Sequence, residues 1–150
     1  MKVLFDTSVL IASVLISHPD HRLSKPWLEA AKAGRIECFV SCHSLAEFYR
    51  VMTALPITPV TSCLDVMNVL QTDVLVHSQI VDLTFADYQI VLHSLAQQNL
   101  RSGIVFDAII VQAALKAGVD KLLTLNSKHF TGLWPNHTDQ VINPTNTQVP

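Results

Sequence analysis

An α/β domain with a mostly parallel sheet, covered by helices on both faces, is the fold class this sequence predicts. Short β-rich runs alternate with segments whose apolar residues recur at helical spacing, which is the pattern of β-α-β units. The chain has 150 residues, 49% of them hydrophobic and only 15% charged. That is enough to bury one core without disulfides or a structural metal, and too little for a second core. No internal repeat interrupts the alternation.

Val3-Leu4-Phe5 is a short apolar run that ends at Asp6-Thr7-Ser8, a strand feeding a helix N-cap. The helix runs from Val9 to about Ile16 and stops before His18-Pro19. A second helix, His21 to Ala33, carries Leu23, Trp27, Leu28 and Ala31 at helical spacing, and Gly34 terminates it. Ile36 to Val40 reads as a strand. Ser41 then caps a third helix to about Leu55, closed by Pro56 and Pro59, with Leu45, Phe48, Tyr49 and Met52 as its apolar face. Trp27 and Tyr49 read as core residues.

From Thr61 to about Val76 the spacing of Leu64, Met67, Val69, Leu70 and Val74 predicts another helix. Gln79 to Leu83 is a strand. Thr84 and Asp87 stand in capping-box register for a helix from Phe85 to about Gln98. After Arg101-Ser102-Gly103 comes an almost wholly apolar helix, Ile104 to Ala117, stopped by Gly118. Lys121 to Leu125 is a strand, Asn126 to Phe130 a turn or short helix, and Val141-Ile142 a last strand. The domain is expected to span 1–144, with residues 145–150 a frayed tail.

Composition excludes several function classes. Ten basic against twelve acidic residues give a net charge of -2. Strong non-specific nucleic-acid binding usually needs a basic face, so that class is disfavoured, although a nuclease with a few local basic residues is not. Cys38, Cys42 and Cys63 cannot all pair within one chain and form no C-x-x-C, so free, mostly buried thiols in a reducing compartment are expected. Asp6 interrupts the early apolar stretch, no small-residue cleavage site follows, and no run reaches the roughly 18 apolar residues of a membrane span. A soluble, cytoplasmic protein is the expectation. Gly34, Gly103, Gly118 and Gly132 stand too far apart for a dinucleotide or phosphate loop. A dehalogenase-like phosphatase needs a second aspartate two residues after the first, where this chain has Ser8.

In parallel sheets ligands bind beyond the carboxyl ends of the strands, so the residues just after each strand carry the interest. Asp6 follows the first strand; its bland reading is an N-cap. Asp107 sits in a helix that is apolar on nearly every side, where an acid must cap the helix or face a cation. Glu47 falls off the centre of its helix's apolar face, and periodicity alone makes it a solvated residue paired with Arg50. Asn126 follows a later strand at the same edge as Asp6, as a site residue or a turn asparagine.

Taken in order, Val-Leu-Phe-Asp6-Thr-Ser, Ser41…Glu47, Phe-Asp107-Ala-Ile-Ile and Leu-Thr124-Leu-Asn126-Ser-Lys-His-Phe130 resemble the PIN domain, and more narrowly the VapC-type ribonuclease toxins of prokaryotic toxin–antitoxin pairs. The resemblance runs from Met1 to about Pro144. It implies a three-layer α/β/α sandwich with a central parallel sheet of about five strands. It implies that Asp6, Glu47 and Asp107 hold Mg²⁺ or Mn²⁺ and cut RNA, the hard oxygen donors such a cation prefers. Thr7, Ser8, Thr124 and Asn126 would then hydrogen-bond the acids or their waters. Many PIN domains carry a fourth acid where this chain has Asn126, which offers a carbonyl oxygen but no charge. A homodimer and an antitoxin partner are implied as well. A PIN-like fold that has lost catalysis and acts as a binding module, or a housekeeping RNA-processing PIN nuclease, is the alternative.

Overall fold

Five short strands pair in parallel in a single sheet in the computed structural model of the protein, which describes residues 1–56 and 62–150. They are β1 (Lys2–Phe5), β2 (Glu37–Ser41), β3 (Ser78–Val81), β4 (Lys121–Leu123) and β5 (Val141–Ile142), in the order β3-β2-β1-β4-β5. On one side of β1, Val3 stands opposite Cys38 of β2; on the other, Leu4 stands opposite Leu122 of β4. The chain winds outward from β1 in one direction first and in the other direction later. The strand order therefore reverses beside β1, the place where open α/β sheets leave a crevice for ligands.

Because strand side chains alternate between faces, β1 feeds two cores. Val3 and Phe5 pack with α1 (Thr7–Val14), α2 (His21–Lys32), α3 (Cys42–Thr53) and α4 (Cys63–Val69) through Val9, Trp27, Phe48 and Val66. Leu4 points the other way, onto Ile110 and Val111 of α6 (Ile104–Ala117) and Phe130 of α7 (Ser127–Leu133). Helix α5 (Phe85–Gln97) forms an outer tier, with Val91 and Leu95 packed on Ala108 and Ile109 of α6. The expected three-layer α/β/α architecture is present. Trp27, Phe48 and Phe130 are fully enclosed, and truncating any one of them to alanine costs about 3–5 kcal/mol.

Local departures from the sequence reading have physical reasons. Helix α1 ends at Val14 rather than Ile16, because Leu15 leaves the helix in an extended conformation while its N–H still bonds Ile11 O. The helix expected from Thr61 to Val76 is α-helical only over Cys63–Val69; a π-helical turn, Leu70–Val74, and a 3₁₀ turn, Leu75–His77, follow. Its buried face is Val66, Leu70 and Val74, whereas Leu64 and Met67 are exposed. Pro59 and Thr61 lie outside the described residues. Strand β3 begins at Ser78 and stops at Val81, and Leu83 packs instead between the α5 and α6 cores. Tyr49 is exposed while Trp27 is buried. All three cysteines are free, but only Cys38 is buried; Cys42 and Cys63 are exposed, against expectation.

Gly118 ends α6 in the left-handed conformation, with φ 58°, that a side chain would make strained. Beyond β5, Asn143 donates to Leu125 O and accepts from Thr145, Val149 packs against the larger core, and Arg35 donates to Pro150 O. Among the described residues no helix is long and apolar enough to cross a membrane.

Candidate active site

Asp6 occupies the N-cap position of α1, yet its carboxylate caps nothing. Its backbone does the local work: Asp6 N–H donates to Leu123 O, continuing the β1–β4 pairing, and Asp6 O accepts from Val9 and Leu10. The carboxylate is thus free to face the crevice beside β1. It is almost wholly buried, 5% exposed, and held by two hydroxyls. Ser8 Oγ donates to Asp6 Oδ2 at 2.5 Å and Thr124 Oγ1 donates to the same oxygen at 2.8 Å. Each hydroxyl is itself positioned by a backbone amide, Leu125 N–H to Ser8 Oγ and Asn126 N–H to Thr124 Oγ1. The loop after β4 therefore reaches Asp6 through two relays, one by way of Ser8 and one by way of Thr124. Thr7 Oγ1, also expected there, is buried with no partner.

Burial pushes the Asp6 carboxyl above the usual range; the Ser8 and Thr124 bonds act against that rise, and the charge of Asp107 adds to it. Asp107, in the first turn of α6, likewise caps nothing, since the N-cap is Gly103. Its carboxyl is also raised, by burial first and by the charge of Glu47, while His129 acts in the opposite direction. Glu47 is half-buried on α3 and, among the described residues, forms no ion pair with Arg50. Three elements thus bring the acids together pairwise: the charge of Asp107 reaches Asp6, and that of Glu47 reaches Asp107.

His129 was not singled out from the sequence. Its Nδ1 stands 3.1 Å from Asp107 Oδ2 and 2.7 Å from the Asn126 side-chain amide. The signal was available: His129 lies three residues after Asn126, on the same face of a helix, at the edge where the acids were expected. Asn126 is exposed, and its side chain turns to His129.

Among the described residues no three acid, histidine or cysteine side chains stand close enough to form a ready-made metal cage. The donor set nevertheless fits a hard divalent cation. It consists of carboxylate oxygens, with the charge of Asp107 raising Asp6 and that of Glu47 raising Asp107, and among the described residues no lysine or arginine pairs with any of them.

The PIN domain family model matches residues 3–131. The chain belongs to the PIN domain family. Solved structures similar to this PIN domain include FitAcB from Neisseria gonorrhoeae, with a TM-score of 0.65 at 17% identity, covering 97% of this chain and 99% of that one. VapBC2 from Rickettsia felis, bound to a DNA fragment from its promoter, gives 0.64 at 16%, covering 95% and 98%. VapC20 of Mycobacterium tuberculosis, a sarcin-ricin loop cleaving toxin, gives 0.62 at 17%, covering 80% and 86%. At these identities the likeness concerns the fold. A comparison with curated proteins gives no match.

Proposed function

We propose that this PIN domain is a divalent-metal-dependent endoribonuclease, the toxin of a toxin–antitoxin pair. One observation supports the reading: at the carboxyl edge of the sheet the charge of Asp107 reaches Asp6 and that of Glu47 reaches Asp107, with the His129 imidazole beside Asp107 and, among the described residues, no lysine or arginine paired with any of the three. PIN domains are in general nucleases, and the similar VapC20 is a toxin that cleaves RNA. Asp6, Asp107 and Glu47 would hold Mg²⁺ or Mn²⁺, with Asn126 at the margin. When bound, such a cation orients the phosphodiester, offsets charge on its oxygens and activates water for attack.

The chain's own residues prepare that step. Ser8 and Thr124 fix Asp6 Oδ2, so the carboxylate presents one orientation, and their bonds favour its ionised form against the burial that raises it. His129 pulls the Asp107 carboxyl toward ionisation in the same way. An antitoxin partner and a homodimer belong to this reading, supported by the apolar residues left exposed on α5 and α6: Phe85, Ile90, Leu92 and Leu115. Reducing thiols and the antitoxin partnership both suit the cytoplasm.

The test is RNA cleavage by purified protein with Mg²⁺ or Mn²⁺, with EDTA, and by Asp6→Asn. Cleavage that requires the cation and disappears in the variant supports the proposal. Equal cleavage in chelator by nuclease-free protein overturns it.

A further inference from the structure

Helices α3 and α6 face each other across two levels of the crevice. At the deeper level Glu47 and Asp107 lie within each other's field. One turn nearer the N-terminus of α3, the His43 ring stacks on Phe106, with centroids 5.0 Å apart and planes 10° from parallel. Phe106 directly precedes Asp107, and His43 precedes Glu47 by four residues. Both helices start at the carboxyl edge of the sheet, so the stack stands toward the mouth of the acidic crevice.

Of the six phenylalanines, Phe5, Phe39, Phe48 and Phe130 are buried; Phe85 on α5 and Phe106, at 47%, are exposed, and of these two it is Phe106 that directly precedes an acid of the site. His43 covers one face of the ring and holds it in a fixed plane. Ile104 and Val105 before Phe106 are half-buried against the α5–α6 core, while Arg101, Ser102 and Gly103, just ahead of the helix, are exposed. A half-exposed ring fixed by a stacked imidazole and adjoining the acid Asp107 suits one planar group. Charge points the same way. A chain of net charge -2 gains little from phosphate attraction, so stacking must supply part of the grip on a nucleic acid.

We infer that the His43–Phe106 stack is a nucleobase subsite, holding one unpaired base of the RNA strand beside the scissile phosphate. The inference rests on the ribonuclease reading and adds a positioning residue to it. A base inside a duplex cannot reach the ring, so the subsite takes single-stranded or looped RNA.

The experiment measures binding of fluorescein-labelled oligo(A), oligo(C) and oligo(U) of about twelve nucleotides, and of a duplex of the same length, to Asp6→Asn protein, which leaves the RNA intact. Phe106→Ala added to that protein should weaken single-strand binding about 5- to 150-fold, by the same factor at low and high salt. Phe106→Leu, which keeps apolar bulk without a π face, should lose as much, and Phe106→Trp should retain binding. Unchanged binding in Phe106→Ala and Phe106→Leu overturns the subsite. So does unchanged RNA binding together with loss of self-association in sedimentation, which makes the ring a contact between copies of the chain. Cation-dependent cleavage by the otherwise native chain is followed in parallel. If that cleavage is absent, the ribonuclease reading fails; if it is present while the Phe106 variants bind normally, only the subsite fails.

Discussion

Thr124 Oγ1 donates to Asp6 Oδ2 at 2.8 Å, across 118 positions of sequence, while it accepts from Asn126 N–H at 3.0 Å. One hydroxyl thus ties the carboxylate after β1 to the loop after β4, on either side of the point where the strand order reverses. Thr124 is wholly buried, so neither bond has water as a substitute. Its removal leaves a carboxylate oxygen and a backbone amide short of a partner each.

Thr124→Val keeps the shape and removes the hydroxyl. A hydrogen bond to a charged group contributes about 1.5–3 kcal/mol, so urea unfolding should show a loss in that range at neutral pH. Calorimetric titration should show Mn²⁺ affinity lowered about 10–100-fold, as for other partners that orient metal ligands. Unaltered affinity would mean that Asp6 needs no such orientation.

Asp6 and Asp87 should shape the pH dependence of stability in opposite directions. Burial raises the Asp6 carboxyl above its ordinary value near 3.8, so the folded state binds that proton more tightly than the unfolded state. Metal-free protein therefore loses stability from Asp6 as pH rises from about 4 through the raised value. Asp6→Asn should be more stable than the native chain at neutral pH and show a flatter thermal midpoint over that range. Asp87 is held far below the carboxylate range by Lys116 Nζ at 2.7 Å and by the Thr84 N–H and hydroxyl. Its contribution is present above the unfolded value and lost as pH falls below about 4. Asp87→Asn should be less stable at neutral pH and lose less on acidification. Thermal melts of the two variants across pH check both signs.

Asp107→Asn should abolish RNA cleavage and leave the fold intact. The helix does not use that carboxyl as a cap, and the amide can still meet His129. Circular dichroism and cleavage measured on the same sample separate the outcomes. An unfolded variant would make Asp107 a structural residue.

Most of the fold was legible because alternating periodicity and caps are local signals. Thr84 and Asp87 form the capping box their spacing predicts, and Gly118 takes the left-handed conformation expected of a helix stop. The segment after Cys63 was less legible: Leu70 and Val74 are buried as their spacing suggests, but the third buried residue is Val66, while Leu64 and Met67, which also fit a helical period, are exposed. Exposed Leu64 and Tyr49 show the same limit: apolar spacing does not reveal whether a neighbour exists to cover a face. At the site, Asp6 stood out from its place after a strand, whereas Ser8 and Thr124 were named only through the family resemblance. His129 was not, since its contact with Asp107 spans 22 positions and depends on how α7 lies against α6.

Asn126 is where this chain departs from the fuller acidic pattern of its family. Three carboxylates neutralise one divalent cation and leave a single negative charge, too little to hold a second cation firmly without RNA phosphate. The native chain should therefore bind Mn²⁺ weakly, near one ion per chain. The Asn126 side chain is exposed and meets His129, which meets Asp107, so it stands one group away from the acids. Asn126→Asp puts a charged oxygen there, with two partners open to it: a cation or a protonated His129. The hard oxygen should tighten Mn²⁺ binding and weaken RNA binding slightly by repelling phosphate. Adding His129→Ala removes the competing partner and should increase the gain in affinity. Calorimetric titration of the native chain, Asn126→Asp and the double variant decides the matter. Two tightly bound ions in the native chain, or no change on Asn126→Asp with or without His129, would put Asn126 outside the metal site and make it a turn residue that supports Thr124 through its backbone.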